Sequence, residues 1–415
     1  MAFDPARAFV PARTVSPVPW MQIPGIRAVV WALGRENVRF VGGCVRDYLC
    51  GRQNLDVDLA TVHVPEETLR LLKEARIRVE PIGIEHGTVM AITASGSFEI
   101  TTLRRDVETD GRHAVVAFTN NWAEDAARRD FTINAMSVSP EGGLFDPAGG
   151  IDDLEAGRVR FIGDARERIR EDVLRILRFF RVTAWYGRGA PDPEGVIACV
   201  EAADSLARLS GERISTELRR LLAAPDPCPV VETMAGHAVL RSIAPLAMAP
   251  RTLARLVALE QAAQLKPYPL CRLAALLPGD TEAYEALAER LRFSKAERSR
   301  LRRLGRPLPD LGSDPESIRQ ALYRSKDREI YTLQALIAAA EGDPGDLRMR
   351  LHEAATWPWP ELPVSGLDLI EAGIPKGPNI GKILNLLEEW WVRQNFEPDR
   401  EACLNAVRRA YEQST

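Results

Sequence analysis

The tightest constraint on this chain lies between Val38 and Thr61. Val38, Phe40 and Val41 read as a short apolar strand that breaks at Gly42 and Gly43 and resumes as a helical turn carrying Arg46 and Asp47. A second strand then carries Asp56 and Asp58. Side chains alternate along a strand, so these two acids share one face. Like charges so placed repel unless something positive lies between them, and Mg²⁺ held by carboxylates and phosphate oxygens fits best. The glycine pair lets the backbone approach an anion, and the helix start beyond it offers free N–H groups.

A chain of 415 residues can bury a large core and divide into roughly two to four units. No apolar run approaches the roughly 20 residues that span a bilayer, and no basic segment feeds a long apolar one at the N-terminus. These features predict a cytoplasmic protein without a membrane anchor, and no obligate protein partner is inferred. The six cysteines form no CxxC pair, which argues against a zinc site or a disulfide framework. The net charge of −4 does not itself suggest a nucleic-acid binder, but only six of the 54 basic residues are lysines. Arginine suits bidentate recognition of phosphates and base edges, although a GC-rich genome gives the same bias.

Residues 1–22 hold four prolines and little periodicity, predicting a loosely packed arm that leads into a helix over Ile26–Leu33. Pro65–Lys73 reads as a helix, and Ile77–Val79, Thr88–Ile92 and Ser97–Thr101 as strands, which together suggest a mixed α/β sheet. Glu99 lies in the last of these strands. It is either a third acid that aligns metal or accepts a proton, or a surface residue opposite Phe98 and Ile100. His86 has no catalytic partner and reads as a packing residue. From Arg166 the pattern is helical through Tyr186, with Asp172, Arg175 and Arg178 spaced three apart on neighbouring parts of one face. Ser210 is a candidate cap for the next helix. Beyond Pro225 only helices are expected. Arg290–Arg306 contains eight basic residues against Glu297 alone, either a track for an RNA backbone or a solvated helix face.

The segment GGCVRDYLCGRQNLDVDLAT resembles the signature of the class II nucleotidyltransferases, the family of bacterial tRNA CCA-adding enzymes and bacterial poly(A) polymerases. The likeness continues through RRDFTINA at 128–135, FDPAGGIDDLEAGRVR at 145–160, EDVLR at 171–175 and ERISTEL at 212–218, and returns at 362–390. It implies a polymerase-β-like α/β catalytic head with a small mixed sheet at 25–150, after an arm at 1–24. An all-α neck (151–225), body (226–345) and RNA-binding tail (346–415) would follow. It also implies addition of CMP and AMP from CTP and ATP to a tRNA 3′ end, with two Mg²⁺ ions, or Mn²⁺ in their place, on Asp56 and Asp58. Poly(A) addition, or partial CC or A addition, is the alternative within the same family.

Under the resemblance Gly42, Gly43, Arg46, Arg128, Arg129, Asp130 and Asn134 belong to the nucleotide site. Asp172 and Arg175 face the incoming base, and Arg178 belongs to the nucleotide site with them. An aspartate can accept from the exocyclic amine that C and A share, and an arginine can donate to the adjacent ring nitrogen. Arg105, Asp106, Asp110, Arg112 and His113 fall where the family has a flexible loop, although the residues alone read as a solvated hairpin. Asp153 and Arg160 belong to the junction behind the head. Glu212, Arg213 and Glu217 brace the neck. Gly377, Asn379, Ile380 and Gly381, with Lys376 and Lys382, would meet a tRNA phosphate.

Overall fold

Residues 3–412 are described by this computed structural model, apart from 16–17, 53–55, 110–113, 245–247, 278–280, 306–309 and 344. The chain divides into two units, residues 1–245 and 246–415.

The first unit is built on a sheet of eight strands. They are β1 (Arg13–Thr14), β2 (Val38–Val41), β3 (Asp58–Thr61), β4 (Arg78–Gly83), β5 (Thr88–Thr93), β6 (Gly96–Thr102), β9 (Ser137–Val138) and β10 (Gly143–Phe145). β7 (Arg104–Thr109) and β8 (Ala114–Phe118) form a separate hairpin. The sheet order is β1-β10-β9-β2-β3-β6-β5-β4, with β3 and β6 parallel. This is the mixed sheet expected. The three strands predicted between Ile77 and Thr101 are β4, β5 and β6.

The helices of this unit begin with α1 (Pro24–Leu33), α2 (Gly43–Leu49), α3 (Pro65–Glu74), α4 (Trp122–Ala127) and α5 (Gly150–Ala156). They continue with α6 (Ala165–Glu171), α7 (Arg175–Tyr186), α8 (Pro193–Glu201), α9 (Gly211–Leu222), α10 (Cys228–Gly236) and α11 (Val239–Ile243). On α1 the buried residues Ile26, Val29, Val30 and Leu33 fall at helical spacing and form its core stripe.

β2 is buried along its whole length. Phe40 packs against Trp20, with ring centroids 5.7 Å apart. Arg39 is held between the rings of Trp122 at 4.2 Å and Phe145 at 3.6 Å, and donates to the Ala8 carbonyl at 2.8 Å. Burial pulls its pKa down to about 10, so it stays a cation at neutral pH. That grip corrects the expectation of a loose arm. The Asp4 N–H donates to Pro147 at 2.8 Å, the Ala12 N–H donates to Leu144 at 2.7 Å, and β1 pairs with β10. The prolines set bends here: Pro5 opens a short 3₁₀ turn that Asp4 caps.

A second correction concerns the helix expected through residues 166–186. It is two helices, α6 and α7, because Asp172 leaves helical geometry at φ −150°, ψ 108°. Its Oδ1 accepts from the Leu174 N–H at 3.1 Å, a local bond that competes with the helix ladder. Ser210 occupies the cap position of α9 but makes no side-chain cap bond. α9 instead braces α7, with Glu217 bonded to Arg181 at 2.5 Å and the Trp185 indole donating to the Arg220 carbonyl at 2.8 Å.

In the second unit the described secondary structure is entirely helical. α12 (Pro250–Ala262) and α13 (Pro269–Leu276) are joined by Glu260 and Arg272, 2.7 Å apart and 2% and 1% exposed. In the basic segment Arg300 pairs with Glu329, Arg303 with Asp327, and Arg298 and Arg302 approach Glu285. Trp391 is buried and donates to the Pro398 carbonyl at 2.9 Å, a packing role.

Candidate active site

The turn from β2 into α2 starts the site. Gly42 adopts φ +71°, ψ −127°, a conformation open to glycine. A Cβ there would lie 3.3 Å from Arg129 Nη1 and 4.0 Å from Asp58 Oδ2. Register places the acids next to this turn: Val41 pairs with Asp58 on β3, and Asp58 pairs with Glu99 on the parallel neighbour β6. Residues in register share a face, so Glu99 stands beside Asp58. Glu99 lines the same cleft while its side chain stays exposed, on the face opposite buried Phe98 and Ile100, so both features of its sequence reading are present. Asp56 is not on the strand as expected; it lies in the connection two residues before β3 begins.

The three acids act on one another. Burial pushes the Asp58 carboxyl up to about 6, and the charges of Asp56 and Glu99 push the same way, against Arg129. A carboxylate held up by burial and two like charges has an unmet need for positive charge. Mg²⁺ fits this donor set, because it binds through one or two carboxylates and completes its shell with phosphate oxygens and water. Among the described residues no group of three or more His, Cys, Asp or Glu is arranged as a metal cage, and such a site needs none.

From these acids a cleft of about 500 Å³ runs to the α6–α7 break. Its lining includes Gly42, Gly43, Arg46, Asp58, Glu99, Arg128, Arg129, Asp130, Asn134, Asp172, Arg175 and Arg178. The sequence reading is thus gathered into one place, except that Asp56 is not among the lining residues. Arg105 and Asp106 lie on β7, and Arg105 is exposed. Asp110 and Arg112, with His113, fall outside the described residues.

Each arginine is held by its own partner. Buried Asp125 receives Arg128 at 2.7 Å and Arg129 at 3.1 Å. Burial alone would raise the Asp125 carboxyl, but the two guanidinium groups outweigh it and hold the pKa below the ordinary value. Sequence reasoning missed Asp125, although its spacing of three and four from the arginines on a helix was the available signal. Asp130 is also buried. It accepts from Asn134 at 2.9 Å and from Arg178 at 2.8 and 2.5 Å, and Arg178 keeps its carboxyl low against the effect of burial.

At the far end Asp172 accepts from Arg213 at 2.8 and 3.0 Å. Arg175 donates to Glu171 and to the Arg168 carbonyl at 2.9 Å. Arg213, read from sequence only as a brace, lines the cleft, as do Thr101, Arg104, Leu174 and Arg181. Asp153 is fully buried between Thr132 at 2.7 Å and Arg160 at 2.9 Å, behind the site as a junction residue should be.

Clustered carboxylates at a strand edge, a glycine turn and an arginine-lined cleft are the working parts of a nucleotidyltransferase. Residues 38–160 match the family described as Poly A polymerase head domain, and residues 190–249 match the probable RNA and SrmB-binding site of polymerase A. The CCA tRNA nucleotidyltransferase 1, mitochondrial, of Homo sapiens is 34% identical over 403 residues, covering 93% of this chain and 90% of its own. The CCA-adding enzyme of Lacticaseibacillus paracasei is 33% identical over 362 residues, covering 84% and 86%. The crystal structure of the Bacillus stearothermophilus CCA-adding enzyme in complex with CTP matches with a TM-score of 0.70 at 25% identity, over 94% of this chain and 100% of that one. The chain belongs to the CCA-adding tRNA nucleotidyltransferase family.

Proposed function

We infer that the cleft binds CTP or ATP and that the enzyme adds CMP and AMP to the 3′ end of tRNA, building or repairing CCA and releasing pyrophosphate. The observation that carries this reading is the continuity of the cleft, from the Asp58–Glu99 register at one end to Asp172 and Arg175 at the other. One end is acidic and close to a glycine turn; the other offers acceptors and donors to a base edge.

Asp56 and Asp58 would hold Mg²⁺, or Mn²⁺ in its place, whose chemistry there is to acidify the attacking 3′-hydroxyl and neutralise the leaving pyrophosphate. Glu99 stands beside Asp58 to orient it or to take the hydroxyl proton. Arg128 and Arg129, pre-set by Asp125, lie ready for the triphosphate without reorganising during reaction. Gly42 leaves room for a phosphate where a side chain would fill the space. Asp172 accepts from the exocyclic amine of C or A and Arg175 donates beside it. UTP or GTP would leave buried polar groups unpaired, at a cost of roughly 1–3 kcal/mol each. Arg105, Asp106, Asp110 and Arg112 belong to a segment that accompanies the change from C to A.

We assign the head to 25–150, the neck to 151–225, the body to 226–345 and the RNA-binding tail to 346–415. In the tail a helix begins at Asn379 just after Gly377, which leaves first-turn N–H groups for a tRNA phosphate. Among the described residues no helix is long and apolar enough to cross a membrane, and the proposed partners are nucleotides and RNA in the cytoplasm.

The test is incubation of the purified protein with tRNA lacking its terminal CCA and with each NTP separately and together. Three added nucleotides are expected, and a long run of A would mark a poly(A) polymerase instead. D56A and D58A are each expected to abolish incorporation with the circular dichroism spectrum unchanged; a folded, active double variant would refute the assignment.

A further inference from the structure

The mechanism leaves one half-buried polar connection unused, between the phosphate end of the cleft and the far end of α7. Tyr186, the last residue of α7, donates from its hydroxyl to Asp47 Oδ1 at 2.5 Å. The same hydroxyl accepts from Arg46 Nη2 at 2.8 Å, and the Arg46 guanidinium lies 4.0 Å from the centre of the tyrosine ring. Arg46 also reaches Asn134 Oδ1 through Nη1 at 2.6 Å. Asn134 passes the connection to Asp130 at 2.9 Å, and Asp130 receives Arg178, which is again on α7.

The path therefore leaves α7 at Tyr186, crosses α2 and the segment after α4, and rejoins α7 eight residues earlier. At 1.5 Å per residue the two grips are roughly 12 Å apart along the helix. A helix held at one point can tilt or slide, whereas one held at two points over two turns cannot do either without breaking a charge-assisted bond. We propose that Tyr186 is a positioning residue for nucleotidyl transfer: with Asp47 it fixes Arg46 and, through Asn134 and Asp130, sets Arg178, so that the triphosphate and base-reading ends of the cleft keep one register.

Three further observations agree. Arg52, which follows α2, donates to the Trp185 carbonyl at 2.7 Å and lies 4.6 Å from the Tyr186 ring, a second hold on the same turn. Asp47 is 8% exposed and Asn134 also 8%, so water does not readily replace these bonds. Burial raises the pKa of the Tyr186 phenol, which keeps the hydroxyl protonated as a donor at neutral pH.

The inference rests on the proposed function for what the two ends hold, and the test separates the two. Y186F keeps the ring and removes the hydroxyl; D47N removes the charge it meets. In the full-length chain without nucleotide, amide hydrogen exchange in Y186F is expected to quicken around Asn134 and around Arg178 as well as near Tyr186. With tRNA lacking CCA, kcat for CMP addition is expected to fall about tenfold while KM for CTP changes less than about twofold. The ratio of UMP to CMP incorporated is expected to rise about fivefold. The double variant should lose little more than the worse single one, because both changes cut the same path. Exchange confined to the end of α7, a lowered unfolding temperature with unchanged nucleotide ratio, or additive losses would each overturn the proposal. If the unaltered protein adds no nucleotide, the functional reading fails and the exchange pattern still decides whether the two grips are connected.

Discussion

Gly42 shows how much one residue contributes to this site, because its backbone and its missing side chain do separate things. A non-glycine residue at φ +71°, ψ −127° is strained by about 1–3 kcal/mol. A methyl at that position would also stand 3.3 Å from Arg129 Nη1, in the space proposed above for a phosphate. G42A is therefore expected to lower the unfolding midpoint and also to reduce incorporation more than tenfold at temperatures where it is fully folded. G51A is the control: Gly51 has φ +68° but no neighbour within 4 Å of a built Cβ, so strain comes without intrusion. Thermal melts alongside steady-state kinetics check both. Equal relative activity in the two folded variants would show that strain, not the space at Gly42, is what matters.

At the scale of elements, the sequence was most informative where a single strand period or a short motif decides the outcome. The glycine break and the arginine pair at 128–129 are local patterns, and both line the cleft. What stayed hidden depended on partners distant in sequence. That Glu99 stands beside Asp58 follows only from β6 running parallel to β3, since register is a tertiary fact. The break at Asp172 was obscured because the apolar periodicity continues across it, although an aspartate that can bond its own backbone is a recognisable warning. The arm misled because prolines mark rigid bends as readily as loose chain.

Asp130 joins the segment after α4 to α7, and its charge can be tested by pH. Its folded carboxyl pKa lies below the ordinary value, so it contributes stability that is present above that ordinary value and lost as pH falls through the folded one. D130N is expected to be less stable than the parent by roughly 2 kcal/mol at pH 7. The gap should narrow below about pH 4, where the carboxyl of the unfolded chain takes up a proton that the folded carboxyl still refuses. Urea denaturation at pH 7 and pH 3.5 measures this; a gap independent of pH would mean that the charge contributes nothing.

At the scale of the whole molecule the two units rest on different interior chemistry. The first buries arginines against carboxylates around a cleft, where those ion pairs arrange a site. In the second, among the described residues, the pair of Glu260 with Arg272 lies buried between α12 and α13, away from any proposed chemistry. An interior pair of this kind seldom stabilises more than apolar residues of similar size would, but removing one partner strands the other. R272M leaves Glu260 in an apolar setting, where burial already raises its pKa against the pull of Arg272. The cost should be about 3–5 kcal/mol at neutral pH. The sign of its pH dependence is opposite to that of Asp130. A carboxyl whose folded pKa is raised loses stability as pH climbs from the ordinary carboxylate value through the folded one. R272M should accordingly lie closer to the parent at pH 5 than at pH 8, because at lower pH Glu260 can be buried as a neutral acid. E260L/R272M, with no stranded charge, should recover most of the loss at both values. Hydrogen exchange across residues 250–276, read beside residues 176–182 of the first unit, reports where each variant opens. Protection lost only in the second unit, and regained in the double variant, is the expected result; a single variant as stable at pH 8 as at pH 5 would mean that water reaches Glu260 once the arginine is gone.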